Sequence, residues 1–304
     1  MRAVLFPGQG SQFVGMGSDF YNKYDEVKKT FDTVDDTLGF SLSNIILNGP
    51  EEELRKTQNT QPAIMTIGVS IFNILNSKFN FDLNRSKYFA GHSLGEYTAL
   101  VCSGSLTIER AAYLLHERGK AMQNAVPEGE GSMMAILGMT IKEVEQEINE
   151  LNQTCEIAND NSNGQVVVSG KKNAIDSLNL KLKNKKKRGI ILPVSAPFHC
   201  SLMGKASEVM KEKIINTDLL KPIPSIISNV TALEETDVNK IKPLLVDQIT
   251  SRVRWRESIN NMIKLGVNNF LEIGPGKILS GLVKKINKNV EIKNINSIED
   301  ITND

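Results

Sequence analysis

Gly91-His92-Ser93-Leu94-Gly95 follows a short apolar run, Tyr88-Phe89-Ala90, and opens a helix-like segment from Leu94 to Cys102. An apolar strand, a G-x-S-x-G turn and a helix, in that order, fit a nucleophile elbow. There the turn is so tight that the positions two before and two after the serine have no room for a side chain. Such a turn lifts the Ser93 hydroxyl out at a helix N-terminus, where backbone N–H groups can receive developing negative charge. The same five residues also occur in ordinary loops, so at this point both readings stand.

The pattern around the pentapeptide is one of alternating strands and helices. Residues 2–6 read as a buried strand ending in the Gly-rich turn Pro7-Gly8-Gln9-Gly10-Ser11-Gln12. Helical periodicity covers Glu26 to Leu38 and Pro62 to Leu75, a strand covers 87–90, and a longer helix runs from Ile108 to Asn124. These predict an α/β layer with a mostly parallel sheet. After Val126-Pro127-Glu128-Gly129 the pattern changes. A strand at 132–139, a polar helix at 141–150, strands at 154–158 and 165–169 about an Asn-rich turn, a helix at 172–183 and a strand at 189–194 follow. That βαββαβ order is ferredoxin-like. The α/β pattern resumes with a helix at 201–214, a strand at 225–229, helices at 239–250 and 256–265, and a strand at 269–273. Then come Gly274-Pro275-Gly276-Lys277 and a last amphipathic helix. The tail from Asn294 is polar and is expected to be loosely held. The fold expected is α/β: a discontinuous α/β-hydrolase-like subdomain with a parallel sheet core (1–127 and 197–304) and an inserted ferredoxin-like small subdomain (128–196).

Bulk properties exclude several classes. With 304 residues, 40% apolar and 23% charged, the chain has the make-up of a soluble globular protein. Its net charge of +1 gives no global field for nucleic acid. No apolar run has the length of a membrane span, and the segment before Pro7-Gly8 is too short for a signal peptide. Three cysteines (Cys102, Cys155, Cys200) at unrelated spacings suggest neither a disulfide framework nor a metal site, and a reducing cytoplasm is expected.

Only three histidines are available to activate a serine: His92, His116 and His199. His92 adjoins Ser93, and at an elbow adjacent side chains diverge, so a structural role suits it better. His116 lies on a helix, two residues from Arg118, and the two do not share a face. His199, in Pro197-Phe198-His199-Cys200, follows a strand, where α/β enzymes place a general base. His199 is the choice, although position alone does not separate that role from a satisfied loop histidine. An oxyanion hole needs the N–H after the nucleophile, that of Leu94, and a second from a neighbouring loop. The Gln9 N–H in the first Gly-rich turn could supply it; a tight turn and nothing more is the other reading. Phe13 spoils a dinucleotide fingerprint there, and Gly274-Pro275-Gly276-Lys277 reads as a turn capping a helix. Arg118, taken alone, reads as a solvated helix residue.

Several segments together carry a family resemblance: Phe6-Pro7-Gly8-Gln9-Gly10-Ser11-Gln12, Thr60-Gln61-Pro62-Ala63, Gly91-His92-Ser93-Leu94-Gly95-Glu96-Tyr97 and Arg118-Gly119 with Met122. Asn161 with Gly164-Gln165-Val166-Val167, Pro197-Phe198-His199 and Leu271-Glu272-Ile273-Gly274-Pro275-Gly276 complete the set. In order and spacing, from Met1 to about Ile286, the chain resembles the malonyl-CoA:acyl carrier protein transacylases of dissociated fatty acid synthesis. The resemblance implies a ping-pong exchange through a malonyl-serine at Ser93, with His199 as base and the Gln9 and Leu94 amides as oxyanion hole. It implies that Arg118 holds the free malonyl carboxylate, that Met122 and Phe198 bound the acyl pocket, and that the backbone carbonyl of Gln248 orients His199 in place of an acid. The partners implied are malonyl-CoA, as a coenzyme A thioester substrate with no resident cofactor, and an acidic acyl carrier protein. Basic clusters at Lys183 to Arg188 and at Lys284, Lys285 and Lys288 are either solvated lysines or its docking surface. A stand-alone acyltransferase of a polyketide synthase would share every motif. An α/β-hydrolase thioesterase fits poorly, because that fold wants its histidine near the C-terminus and none lies beyond residue 199. A silent carrier-binding protein would have no reason to keep Ser93, His199 and Arg118 together.

Overall fold

The computed structural model of the chain describes residues 1–151, 153–194 and 196–302. Ten strands are formed among them: β1 (Arg2–Phe6), β2 (Tyr88–Gly91), β3 (Gly131–Leu137), β4 (Cys155–Ser162), β5 (Gln165–Lys171), β6 (Arg188–Ile191), β7 (Ser225–Ile227), β8 (Glu234–Glu235), β9 (Asn269–Ile273) and β10 (Glu291–Ile295). Six make one sheet in the order β10-β9-β1-β2-β7-β8, parallel except for the β7–β8 edge. Strands buried on both faces read as continuous apolar runs, and β1 does so: Ala3, Val4, Leu5 and Phe6 are all buried. Alternate side chains point to opposite faces. Val4, Phe6 and Phe89 pack under the helices Thr57–Lys78 and Ile108–Asn124, while Ala3, Leu5 and Tyr88 meet the helices Trp255–Lys264 and Ile278–Ile286.

The remaining four strands form an antiparallel sheet in the order β4-β5-β3-β6, the ferredoxin-like arrangement. Met134, Ile136, Val166 and Val168 face the helices Ile141–Asn149 and Lys172–Asn184. The alternate residues Met133, Ala135 and Val167 join the core of the larger sheet. The two sheets are tied along β4. The Val253 N–H donates to the Ala158 carbonyl at 2.8 Å, the Asp160 N–H donates to the Val253 carbonyl at 2.9 Å, and Arg256 holds the buried Asp160 carboxylate with Nε and Nη2.

Three sequence expectations need correction. The helix expected from Pro62 begins at Thr57. Proline lacks the N–H that would bond the carbonyl four residues back, and His116 Nδ1 donates to that carbonyl, of Gln58, at 3.0 Å instead. The helix therefore runs through Pro62. The Asn-rich turn is mostly strand: β4 continues to Ser162 with two bulged registers, leaving Asn163-Gly164 as the turn. The tail is docked, not loose. β10 pairs with β9, Ile295 and Ile301 are buried, and the Ile298 N–H donates to Asp19 Oδ2 at 2.6 Å. The apolar residues of a short edge strand and a one-turn helix were too few to outweigh the polar composition.

Candidate active site

The elbow is built by steric necessity. Ser93 takes a positive φ of 54°, a conformation costly for a residue with a Cβ. A Cβ on Gly91 would lie 1.9 Å from the Gly95 carbonyl group, and one on Gly95 would lie 2.3 Å from the Phe6 oxygen. Only glycine fits either place. Asn229, two residues past β7, clamps the turn: its Oδ1 accepts from the Ser93 N–H at 2.7 Å and its Nδ2 donates to the Gly91 carbonyl at 2.7 Å.

The Ser93 hydroxyl stands 2.8 Å from His199 Nε2. His199 Nδ1 faces the Gln248 carbonyl at 2.8 Å, and a carbonyl can only accept, so Nδ1 carries the proton and Nε2 is free to receive one from Ser93. Burial, with the Arg118 charge nearby, pushes the His199 imidazole down to about 3, against the opposing pull of the Gln248 carbonyl. The ring is thus neutral, and able to act as a base, across the neutral pH range.

Arg118 is the unexpected element. It is 1% exposed, where taken alone it read as a solvated helix residue. Its Nη1 donates to Gln61 Oε1 at 2.7 Å, and its Nη2 donates to Gln248 Oε1 at 2.9 Å and to Ser93 Oγ at 3.1 Å. These acceptors are neutral, Nε has no partner, and no carboxylate lies within ion-pairing distance of the guanidinium among the described residues. The guanidinium also lies over the Tyr97 ring, 5.8 Å from its centroid. A buried cation with no directly paired anion is costly unless one joins it.

These groups open onto a cavity of about 450 Å³ between the two sheets, lined among others by Gln9, Ser93, Leu94, Arg118, Met122, Phe198 and His199. Gly8 packs so closely on the elbow that a Cβ there would lie 2.6 Å from the His92 carbonyl oxygen, which brings the Gln9 loop alongside Ser93. Among the described residues neither the Gln9 nor the Leu94 N–H donates to another group. His92 turns away, as an elbow neighbour should: its Nε2 donates to Asn161 Oδ1 at 2.9 Å and its ring packs on Trp255. Cys200 is buried against the Pro197 carbonyl, and burial raises its thiol. Gly274-Pro275-Gly276 packs on Pro7 and Ser11 and leads into a helix whose Leu279 and Ser280 N–H groups are capped by buried Glu272.

The basic clusters differ in setting. Lys185 pairs with Glu147 at 2.6 Å, which partly neutralises the first. In the second, Lys284 donates to the Val290 carbonyl and Lys285 to Gln165 Oε1, and Gln165 is among the residues lining the cavity. Among the described residues no group of three or more His, Cys, Asp or Glu is placed to hold a metal ion, and no helix is long and apolar enough to cross a membrane.

The sequence reading assigned no role to Asn229, Glu96, or the side chains of Gln61 and Gln248. Asn229 carries a weak signal, a polar residue closing the strand expected at 225–229; the others gain meaning only from the contacts that join them through Arg118 and Gln248.

Residues 4–302 match the family model of the acyl transferase domain. A malonyl CoA-acyl carrier protein transacylase of Bacillus subtilis (strain 168) is 44% identical over 293 residues, which span 95% of this chain and 91% of that protein. The crystal structure of an acyl-carrier-protein-S-malonyltransferase from Bartonella henselae superposes with a TM-score of 0.96 at 41% identity, covering 99% of this chain and 97% of the other. A malonyl-transacylase solved in complex with a type II polyketide synthase acyl-carrier protein superposes with a TM-score of 0.95 at 36% identity, over 99% and 97% of the two chains.

Proposed function

This chain belongs to the acyl transferase family of malonyl-CoA:acyl carrier protein transacylases, and we propose that it moves malonyl from coenzyme A to the phosphopantetheine thiol of a carrier protein. Ser93 Oγ attacks the thioester carbonyl while His199 Nε2 takes its proton. The Gln9 and Leu94 N–H groups receive the oxyanion. Collapse breaks the C–S bond, the departing thiolate takes the proton from His199, and malonyl remains as an ester on Ser93. The carrier thiol then attacks that ester with His199 again as base, and Ser93 is released. Splitting the exchange at a covalent intermediate lets one site serve two thiols in turn. No resident cofactor enters these steps, and cytoplasmic location follows from the same reading.

The observation that carries this reading is the place of Arg118. Its Nη2 lies 3.1 Å from the Ser93 oxygen that would bear the acyl group, and among the described residues no carboxylate forms an ion pair with it. A malonyl ester on Ser93 would bring a carboxylate to it. An acetyl ester would not, and discrimination follows from the guanidinium left without an anion. A thioesterase acting on neutral acyl chains has no use for this cation. Met122 and Phe198 then bound the acyl pocket between the proposed subdomains, 1–127 with 197–304 and 128–196. The side of the cavity beside Lys285 is where an acidic carrier protein would dock, with Lys284 next to it. Whether that carrier serves fatty acid or polyketide assembly does not alter the chemistry.

The test is the acceptor. Enzyme, malonyl-CoA and holo carrier protein are mixed and the carrier is weighed by mass spectrometry. Malonylated carrier is expected; free malonate with unmodified carrier would make the protein a hydrolase.

A further inference from the structure

Beneath Ser93 lies a buried carboxyl group that the proposed steps do not use. Glu96, in the first turn of the elbow helix Gly95–Cys102, is 1% exposed. Its Oε2 accepts from Gln248 Nε2 at 2.7 Å and from the Asn229 N–H at 3.1 Å. Arg118 Nη2, on the far side of Gln248, can only donate, and the Ser93 carbonyl can only accept. Gln248 therefore has to present its NH2 group to Glu96 and its Oε1 to the other side, where Arg118 Nη2 donates to it at 2.9 Å. The same NH2 donates to the Ser93 carbonyl at 3.0 Å. Turned through half a rotation, the amide would set oxygen against oxygen at the Ser93 carbonyl and hydrogens against hydrogens at Arg118.

We propose that Glu96 is a positioning residue, which anchors the Gln248 amide in this direction and through it holds the Arg118 guanidinium ready for the malonyl carboxylate. This rests on the reading of Ser93 and Arg118 given above. One residue, Gln248, then serves both halves of the site: its backbone carbonyl faces His199 and its side chain faces Arg118. What the device needs from Glu96 is an acceptor oxygen, not a charge. Burial lifts the Glu96 carboxyl to about 7, against the Asn229 N–H, the Gln248 amide and the Arg118 charge. The charged or titratable groups facing it are Arg118 from the helix Ile108–Asn124 and the neighbouring Tyr97. Glutamine at position 96 can place its own Oε1 where Glu96 Oε2 stands; methionine cannot.

The test compares Glu96→Gln and Glu96→Met at pH 6, below the value of about 7, where Glu96 is mostly protonated and neither change removes much charge. Loading of Ser93 is followed by intact mass from malonyl-CoA and from acetyl-CoA. Glu96→Met should slow malonyl loading about tenfold or more, the weight of one hydrogen bond to a charged group, with acetyl loading changed less than about threefold. Glu96→Gln should stay within about threefold of the wild type on both. If the methionine variant does not fold, Gln248→Met removes the same amide while keeping the backbone carbonyl, and it should show the same loss of malonyl preference. Equal losses on both substrates, or a glutamine variant as poor as methionine, would overturn the proposal. A wild-type enzyme that loads no malonyl would instead overturn the acyl-transfer reading beneath it.

Discussion

Replacing His199 by glutamine should make the protein relatively more stable in mild acid. In the unfolded chain a histidine takes up a proton near pH 6.5. In the folded protein burial and the Arg118 charge hold it down to about 3. Between those values the unfolded state binds the extra proton, so this group's stability is fully present above pH 6.5 and is lost as pH falls. At pH 5 the loss spans about 1.5 pH units, and at about 1.4 kcal/mol per unit it amounts to about 2 kcal/mol. That figure depends only on the folded value lying well below 5. The contribution of Glu96 runs the other way. Its folded value is raised from 4.5 to about 7, so stability falls as pH rises through that window. Comparing wild type with His199→Gln at each pH cancels Glu96 and every other shared group. Urea unfolding at pH 5, 6, 7 and 8 should give a stability difference that is constant above pH 7 and moves by about 2 kcal/mol in favour of the variant by pH 5. Parallel curves over the whole range would mean that His199 is not held neutral by burial, and the account of it as a ready base would fail.

Arg118→Ala should cut malonyl loading about a hundredfold, as expected for losing a two-pronged contact to a carboxylate, and change acetyl loading far less; unchanged selectivity in a competition assay would remove Arg118 from the acyl site. Asn229→Ala leaves the Ser93 N–H and the Gly91 carbonyl without partners, which should cost about 1–3 kcal/mol in chemical denaturation and slow loading from both acyl-CoAs alike; full stability would show that the glycines hold the elbow alone. Reversing charge at Lys284 and Lys285 should raise the KM for carrier protein, more at low salt than at high, and leave that for malonyl-CoA unchanged. An unaltered carrier KM would place the docking surface elsewhere.

Local patterns carried most of the architecture. The elbow was legible because its geometry demands glycine at two fixed positions, and contacts under 2.5 Å to Gly95 and Phe6 are the physical form of that demand. The small sheet was legible because its apolar residues alternate within each strand. Arg118 was not legible from its own surroundings, since its burial is decided by Gln61 and Gln248, 57 and 130 residues away. Only the family resemblance gave it a role. The same holds for the Gln248 carbonyl: a backbone acceptor leaves no trace in residue type. Asn229 and Glu96 went without a role because an asparagine at a strand end and a glutamate in a first helical turn have ordinary solvated uses. Pro62 misled for the opposite reason: its local signal is strong, yet His116, 54 residues downstream, supplies the hydrogen bond the proline removes.

The central claim is that Ser93 carries malonyl as a covalent ester that waits for a thiol. Intact-mass analysis of wild type and Ser93→Ala after brief mixing with malonyl-CoA, followed by addition of holo carrier protein, tests it most directly. The wild type should gain one malonyl group, keep it in buffer and lose it to the carrier, while Ser93→Ala gains nothing. A malonyl adduct on the alanine variant, or an adduct on the wild type that water removes as fast as the carrier does, would contradict the account.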